Sequence, residues 1–270
     1  MTEPEVPHAR STGLARFRPT ASISRPGFFA EAIMRDEVHG RLVRDAFDNS
    51  ARHFDRLRRR LVPRFDDFYG SVLELLEDNL CDEPVHFLDL GAGTGLLSEL
   101  VLDQFPQATL TAIDIAERMV EQARTRLARF GDRVRFVVSD YTGIDLPKPT
   151  KAVISALSIH HLTDPEKRKL FRRIHDTLEP GGLFINADQS LAPTPAAERT
   201  YHARWLTEVR ASALAETDLA SALERLTLDR NALMTDQVAW LHEAGFTIAD
   251  VAWKRYRFTV FWARKASCQT

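Results

Sequence analysis

The chain has 270 residues, 44% of them apolar and 27% charged, with a formal net charge of −2. That is enough apolar material for one large α/β domain with additions and too much for global disorder. The near-neutral charge argues against a nucleic-acid surface, and no apolar run nears the ~20 residues that a membrane helix needs.

Residues 1–27 carry Pro, Ser and Arg without an apolar h-region, and are expected to be a flexible extension rather than a secretory signal. The only cysteines, Cys81 and Cys268, offer neither a disulfide framework nor a CxxC metal spacing, which fits a cytoplasmic setting. A helical pattern dominates 28–81, interrupted at Pro63, with Phe47, Phe54 and Leu57 on one stripe and Val72, Leu73, Leu75, Leu76 and Leu80 on another. Arg52, Arg56, Arg58, Arg59, Arg60 and Arg64 crowd this segment. They are either a solvated face or the source of a guanidinium that reaches a ligand carboxylate.

From residue 82 to 270 the pattern alternates between strands and helices, which predicts a mostly parallel sheet covered on both faces. Strands are expected at Val85–Leu90, Ala108–Ile113, Val134–Val138, Ala152–Leu157 and Leu183–Ala187. Helices are expected at Leu96–Gln104, at Glu117–Phe130 and from Pro165 to Leu178, with Pro180-Gly181-Gly182 as a sharp turn. Residues 193–234 break the rhythm and read as a helical insertion after the fifth strand. The helix Thr235–Ala244 stops at Gly245, and Thr247–Trp253 and Tyr256–Ala263 close the chain as an antiparallel pair.

The stretch Asp89-Leu90-Gly91-Ala92-Gly93-Thr94-Gly95-Leu96 is a strand end, a glycine turn and a helix start, the unit that receives nucleotide-like ligands in open α/β sheets. Leu96 stands where a dinucleotide fingerprint wants glycine. Asp114 ends the second strand, placed to accept both hydroxyls of a ribose. Asp140 ends the third, placed to accept from an adenine amino group, and Ile115 and Tyr141 offer surfaces to its ring. His160 and His161 follow the fourth strand, at the ligand edge. They are either structural or a source of one general base, with His161 slightly favoured. No metal is expected, because no HExxH spacing and no carboxylate cluster accompanies them. Asp188 either contacts substrate or caps the next segment. Tyr201 and Trp205 share a helical face and either line a pocket or pack the insertion onto the core.

Asp89-Leu90-Gly91-Ala92-Gly93-Thr94-Gly95 resembles motif I of the class I S-adenosylmethionine-dependent methyltransferases, and Leu178-Glu179-Pro180-Gly181-Gly182-Leu183 resembles their turn before strand five. Phe54-Asp55, Arg58, Phe65-Asp66-Asp67-Phe68-Tyr69-Gly70 and Ser155-Ala156-Leu157-Ser158-Ile159-His160-His161-Leu162 are similar to a bacterial and archaeal group of small-molecule methyltransferases. The resemblance implies a Rossmann-like seven-stranded sheet with its last strand antiparallel. It also implies a cofactor site of Asp89, Gly91, Ala92, Gly93, Gly95, Asp114, Ile115, Asp140, Tyr141, Leu157 and Arg58. The expected cofactor is S-adenosylmethionine, the product S-adenosylhomocysteine and the partner a small-molecule acceptor, methylated on nitrogen or oxygen. No nucleic acid or membrane is expected, and a homodimer is allowed. On the same fold the alternatives are a lyase or cyclase that consumes S-adenosylmethionine, or a non-catalytic ligand-binding protein.

Overall fold

The computed structural model describes residues 36, 38–48, 57–80 and 84–267. Of the first of two compact units, Met1–Val38, only Asp36 and Val38 are described, both helical. The second unit, His39–Thr270, carries the sheet and the helices packed on it. The expected extension 1–27, together with Arg52, Phe54, Asp55, Arg56, Cys81 and Cys268, lies outside the described residues.

Residues 39–48 form helix α1, and residues 57–61 are again helical. Next come α2 (Phe65–Asn79), β1 (His86–Leu90), α3 (Leu96–Gln104), β2 (Thr109–Asp114), α4 (Glu117–Leu127), β3 (Val134–Val138) and β4 (Thr150–Ala156). The chain continues through α5 (Asp164–Thr177), β5 (Leu178–Gln189), α6 (Pro195–Ala211), α7 (Glu216–Leu226), α8 (Met234–Ala244), β6 (Ile248–Arg255) and β7 (Phe258–Arg264). One seven-stranded sheet has the order β3-β2-β1-β4-β5-β7-β6. Neighbours pair in parallel except β7, which is antiparallel to both β5 and β6. The order reverses between β1 and β4, so the crevice for a ligand opens at their carboxyl ends.

The central strands are apolar on both faces, and the period of two splits them between two cores. Phe87, Ile154 and Ile185 face a cluster with Phe68, Val72 and Leu76 of α2 and with Trp205 and Leu219 of the insertion. Their neighbours Leu88, Val153 and Phe184 face the other cluster, with Leu170, Phe171 and Ile174 of α5 and Leu241 of α8. Each such side chain stabilises the fold by about 1.5–3 kcal/mol when fully buried. Helix α5 begins with a capping box, Thr163 with Glu166, and α8 ends on Gly245 at φ 111°. Helix α4 has no side-chain cap of its own; Asp48 at the end of α1 supplies it, accepting the Arg118 N–H at 2.9 Å.

Three expected boundaries move. The helix at Glu117 ends at Leu127 and passes into 3-10 turns over Ala128–Arg133, broken at Gly131. The fourth strand stops at Ala156 because Leu157 turns to φ 54°. Pro180-Gly181-Gly182 is not a separate turn. The fifth strand already begins at Leu178, paired with Thr150, and these residues bulge before pairing resumes at Ala152 with Leu183.

Trp205 anchors the insertion. It is buried in the first core, and its indole N–H donates to the Leu61 carbonyl at 2.8 Å. Trp205→Ala is expected to cost about 3–5 kcal/mol in denaturant unfolding; an unchanged midpoint would mean that the insertion folds independently of the core.

Candidate functional site

The glycine turn closes on the end of β2. Gly91 and Ala92 N–H groups donate to the Ile113 carbonyl at 2.8 and 3.0 Å, and Gly95 N–H returns to the Ala92 carbonyl at 2.9 Å. Gly91, Gly93 and Gly95 all have positive φ. A Cβ on Gly91 would lie 1.9 Å from the Ser158 hydroxyl, so the turns after β1 and β4 touch there without room for a methyl group.

Two acids flank the turn. Asp114 spends one oxygen on Gly93 N–H and the other on Ala116 N–H, each at 2.8 Å. A carboxylate has about four lone-pair positions, so two stay available to hydroxyl donors. Burial raises its carboxyl, and the two N–H bonds oppose this. Asp89 is almost wholly buried; one oxygen accepts from Ser98 at 2.6 Å and the other has no hydrogen-bond partner. Burial pushes it up to about 7, against the Ser98 bond, with Asp114 adding to the rise and Arg58 opposing it. An unpartnered buried carboxylate oxygen beside a glycine turn suits a cationic ligand group.

Tyr141 is buried behind the turn, its hydroxyl 3.0 Å from that of Ser158, and burial raises its phenol. Ile115 is half-buried beside Asp114. Asp140 stands apart: it is exposed, and one oxygen accepts both the N–H and the hydroxyl of Thr142 at 2.7 Å.

A cavity of about 100 Å³ adjoins the turn. Phe47, Leu61, Val62, Trp205, Leu226 and Phe258 give it apolar walls; Arg58, Gln189, Arg225, His160, His161 and Asp229 supply its polar groups. Arg58 spans both places, since it lines the cavity and would meet a Cβ on Gly93 at 3.6 Å. Leu157, in its left-handed conformation, is a further wall. Tyr201 does not line the cavity. It packs on Tyr256, with Lys254 over its ring.

The two histidines, in a 3-10 turn after β4, differ sharply. His160 Nδ1 lies 2.5 Å from Asp188 Oδ1, its Nε2 lies 3.3 Å from Asp229 Oδ1, and its backbone N–H donates to Asp188 Oδ2 at 3.0 Å. Burial alone would lower its pKa, but the charges of Asp188 and Asp229 overcome this and raise it to about 10. His160 is thus an imidazolium fixed between two carboxylates and has no lone pair for a base. His161 is lowered to about 3, by burial first and then by the neighbouring charge of His160. It is neutral, its ring lies against Phe47 at 5.4 Å, and its Nε2 has no hydrogen-bond partner.

Asp188 therefore caps the turn after β4. Asp229, arriving from the loop after α7, is a carboxylate that the sequence reading missed when it expected none beside the histidines. Its distance along the chain left no local signal. Ser98 was also missed, although its place in the first turn of the helix after Asp89 puts it within reach.

Residues 87–182 match the family model described as a methyltransferase domain. The chain is 24% identical over 238 residues to a carboxy-S-adenosyl-L-methionine synthase of Nautilia profundicola, covering 86% of this chain and 100% of the relative. It is 29% identical over 156 residues to an uncharacterised methyltransferase of a Geobacillus species, covering 57% and 68%. Among solved structures, the 1,6-didemethyltoxoflavin-N1-methyltransferase of Burkholderia thailandensis, bound to its substrate and S-adenosylhomocysteine, shares the fold at a TM-score of 0.56 and 18% identity, over 92% of this chain and 93% of that one. With the glycine turn and the seven-stranded sheet, this match makes residues 87–182 a methyltransferase domain of the class I S-adenosylmethionine-dependent type, with S-adenosylmethionine as its cofactor.

Proposed function

We propose that the protein transfers a methyl group from S-adenosylmethionine to a nitrogen or oxygen of a small molecule held in the cavity beside the glycine turn. The observation that carries this is the cavity itself: apolar on most sides, joined to the turn through Arg58 and Leu157, and ending on the unpartnered Nε2 of His161. The cofactor supplies an activated methyl group on a sulfonium. The chain's share is to bind, to orient and to keep water out, and orientation alone is worth up to roughly 7–11 kcal/mol.

In this reading Asp114 holds the ribose hydroxyls, while Asp89 and Arg58 meet the charged methionine end. Gly91, Ala92, Gly93 and Gly95 let the backbone approach, and Ile115 and Tyr141 border the ring. Asp140 keeps the oxygen that Thr142 does not occupy for an adenine amino group. His161 hydrogen-bonds the acceptor and positions it; a ring with so low a pKa is a weak proton acceptor, so of the two roles left open by the sequence, general base suits it less. His160 holds His161 in place. The protein acts without nucleic acid, in the cytoplasm.

A second reading has one specific support. The matched carboxy-S-adenosyl-L-methionine synthase aligns over its entire length, and two guanidinium groups, Arg58 and Arg225, line the cavity. An anionic co-substrate that modifies the cofactor would suit them. Product analysis separates the two. S-adenosylhomocysteine together with a methylated metabolite supports methyl transfer; methylthioadenosine, or a carboxylated sulfonium without S-adenosylhomocysteine, overturns it. His161→Ala should lower kcat about 10²-fold through loss of positioning while leaving S-adenosylhomocysteine affinity within about twofold.

Asp114→Ala should weaken S-adenosylhomocysteine binding at least tenfold by calorimetry, about 1.4 kcal/mol; unchanged affinity would refute its ribose role.

Asp89 gives a pH signature. Its folded pKa, about 7, is raised above the unfolded value, so its protonation stabilises the fold fully below about pH 4, and that stability is lost as pH rises to about 7. A cationic ligand prefers the carboxylate. S-adenosylmethionine affinity should therefore rise with pH up to about 7 and level off above it, and Asp89→Asn should flatten the profile. An equally sloped profile in that variant would assign the effect elsewhere.

A further inference from the structure

We propose that His160, His161 and Asp229 form a site for a single divalent transition-metal ion on the floor of the acceptor cavity. One ligand atom from each lies within 4.8 Å of the others. His160 Nε2 is 3.3 Å and His161 Nδ1 is 3.8 Å from Asp229 Oδ1. Ligands at about 2.0–2.2 Å around a tetrahedral ion stand about 3.4 Å apart, so each imidazole is spaced to share one ion with Asp229.

The surroundings are those of a metal ligand rather than of a chance cluster. A metal-bound histidine characteristically donates its other ring N–H to a carboxylate. His160 does so: its Nδ1 is paired with Asp188 at 2.5 Å. Asp188 is itself fixed by the backbone N–H groups of His160 at 3.0 Å and Gln189 at 2.9 Å, and by the Asn186 amide at 3.3 Å. His161 is more than nine-tenths buried and has a ring nitrogen without a partner, and the one contact of its Nδ1 to a carbonyl, Leu228 O, is long at 3.4 Å. In that contact Nδ1 carries the ring proton; on metal binding the proton moves to Nε2, which frees the Nδ1 lone pair for the ion and lets Nε2 donate to an acceptor molecule. On His160 the ion takes the place of the Nε2 proton, which is released on binding.

Two imidazoles and one carboxylate select zinc, iron(II), cobalt(II) or nickel(II) over magnesium or calcium, which prefer an all-oxygen shell. Three protein ligands leave a position open, and all three residues line the cavity, so that position opens on the space where the acceptor is placed. The metal site stands on its own geometry; its use rests on the methyl-transfer reading. A hydroxyl of the acceptor, bound at the open position, would release its proton to water more readily, and its oxygen would then take the methyl group as the carbon–sulfur bond of the sulfonium breaks, leaving S-adenosylhomocysteine.

The test is metal binding by the chelator-treated full-length protein, followed by cobalt(II) absorbance and elemental analysis. Wild type is expected to take up one cobalt(II) per chain with a tetrahedral visible band. The band should be lost in His161→Ala and in Asp229→Asn, and affinity should fall about 10–100-fold in Asp188→Asn. Circular dichroism checks the fold of each variant, and S-adenosylhomocysteine calorimetry reports the cofactor site separately. Failure of cofactor binding with metal uptake intact would sink the methyl-transfer reading and leave the metal site standing. Wild type that retains neither cobalt nor zinc overturns the proposal, and so does uptake unchanged in a folded His161→Ala.

Discussion

The carboxylate of Asp188 holds the site together. It sits at the end of a central strand, almost wholly buried, and spends its oxygens on the N–H groups of the turn after β4. A buried carboxylate without partners would be costly. Here it fixes one ring nitrogen of His160, and the other lies 3.3 Å from Asp229 of the insertion. One strand end thereby fixes three separate segments: the turn carrying both histidines, the strand itself and the loop after α7. The cavity is the space those segments leave.

Much of this was legible in the chain. The apolar runs of β1 and β4, the glycines at positive φ and the Pro165 helix start follow from local rules, and their elements fall where those rules put them. The mostly parallel sheet and its closing antiparallel pair follow too, from the alternation of strands and helices and from the closeness of the last two strands; the order of the strands does not. What escaped is long-range. The difference between His160 and His161 depends on Asp188 and Asp229, and nothing near the pair announces either carboxylate. Asp140 stands at the end of its strand as expected, and the bonds from Thr142 to one of its oxygens are local ones that the spacing of the two residues allows. Trp205 and Tyr201 share a helical stripe, but the indole has a carbonyl to reach and the phenol does not.

The two sides of the site are built on different physics. At the glycine turn, backbone geometry and buried carboxylates select a ligand with hydroxyls and positive charge, and little can vary there without closing the turn. In the cavity, the walls come from α1, the residues before α2 and the insertion. These elements pack by apolar contact and can change shape while keeping the sheet. The turn is therefore rigid, and the cavity is open to change.

Lys167 gives the cavity a fixed wall. Fully buried, its ammonium donates to the carbonyls of Leu162 and Arg230, and the Arg230 N–H in turn donates to the His160 carbonyl at 2.9 Å. Lifting the insertion here would strip a buried cation of its acceptors as well as separating His160 from Asp229, so this clasp opens only with the core. In hydrogen-exchange terms, the Arg230 amide is expected in the slowest class, because it opens only when the buried cation beside it loses its acceptors.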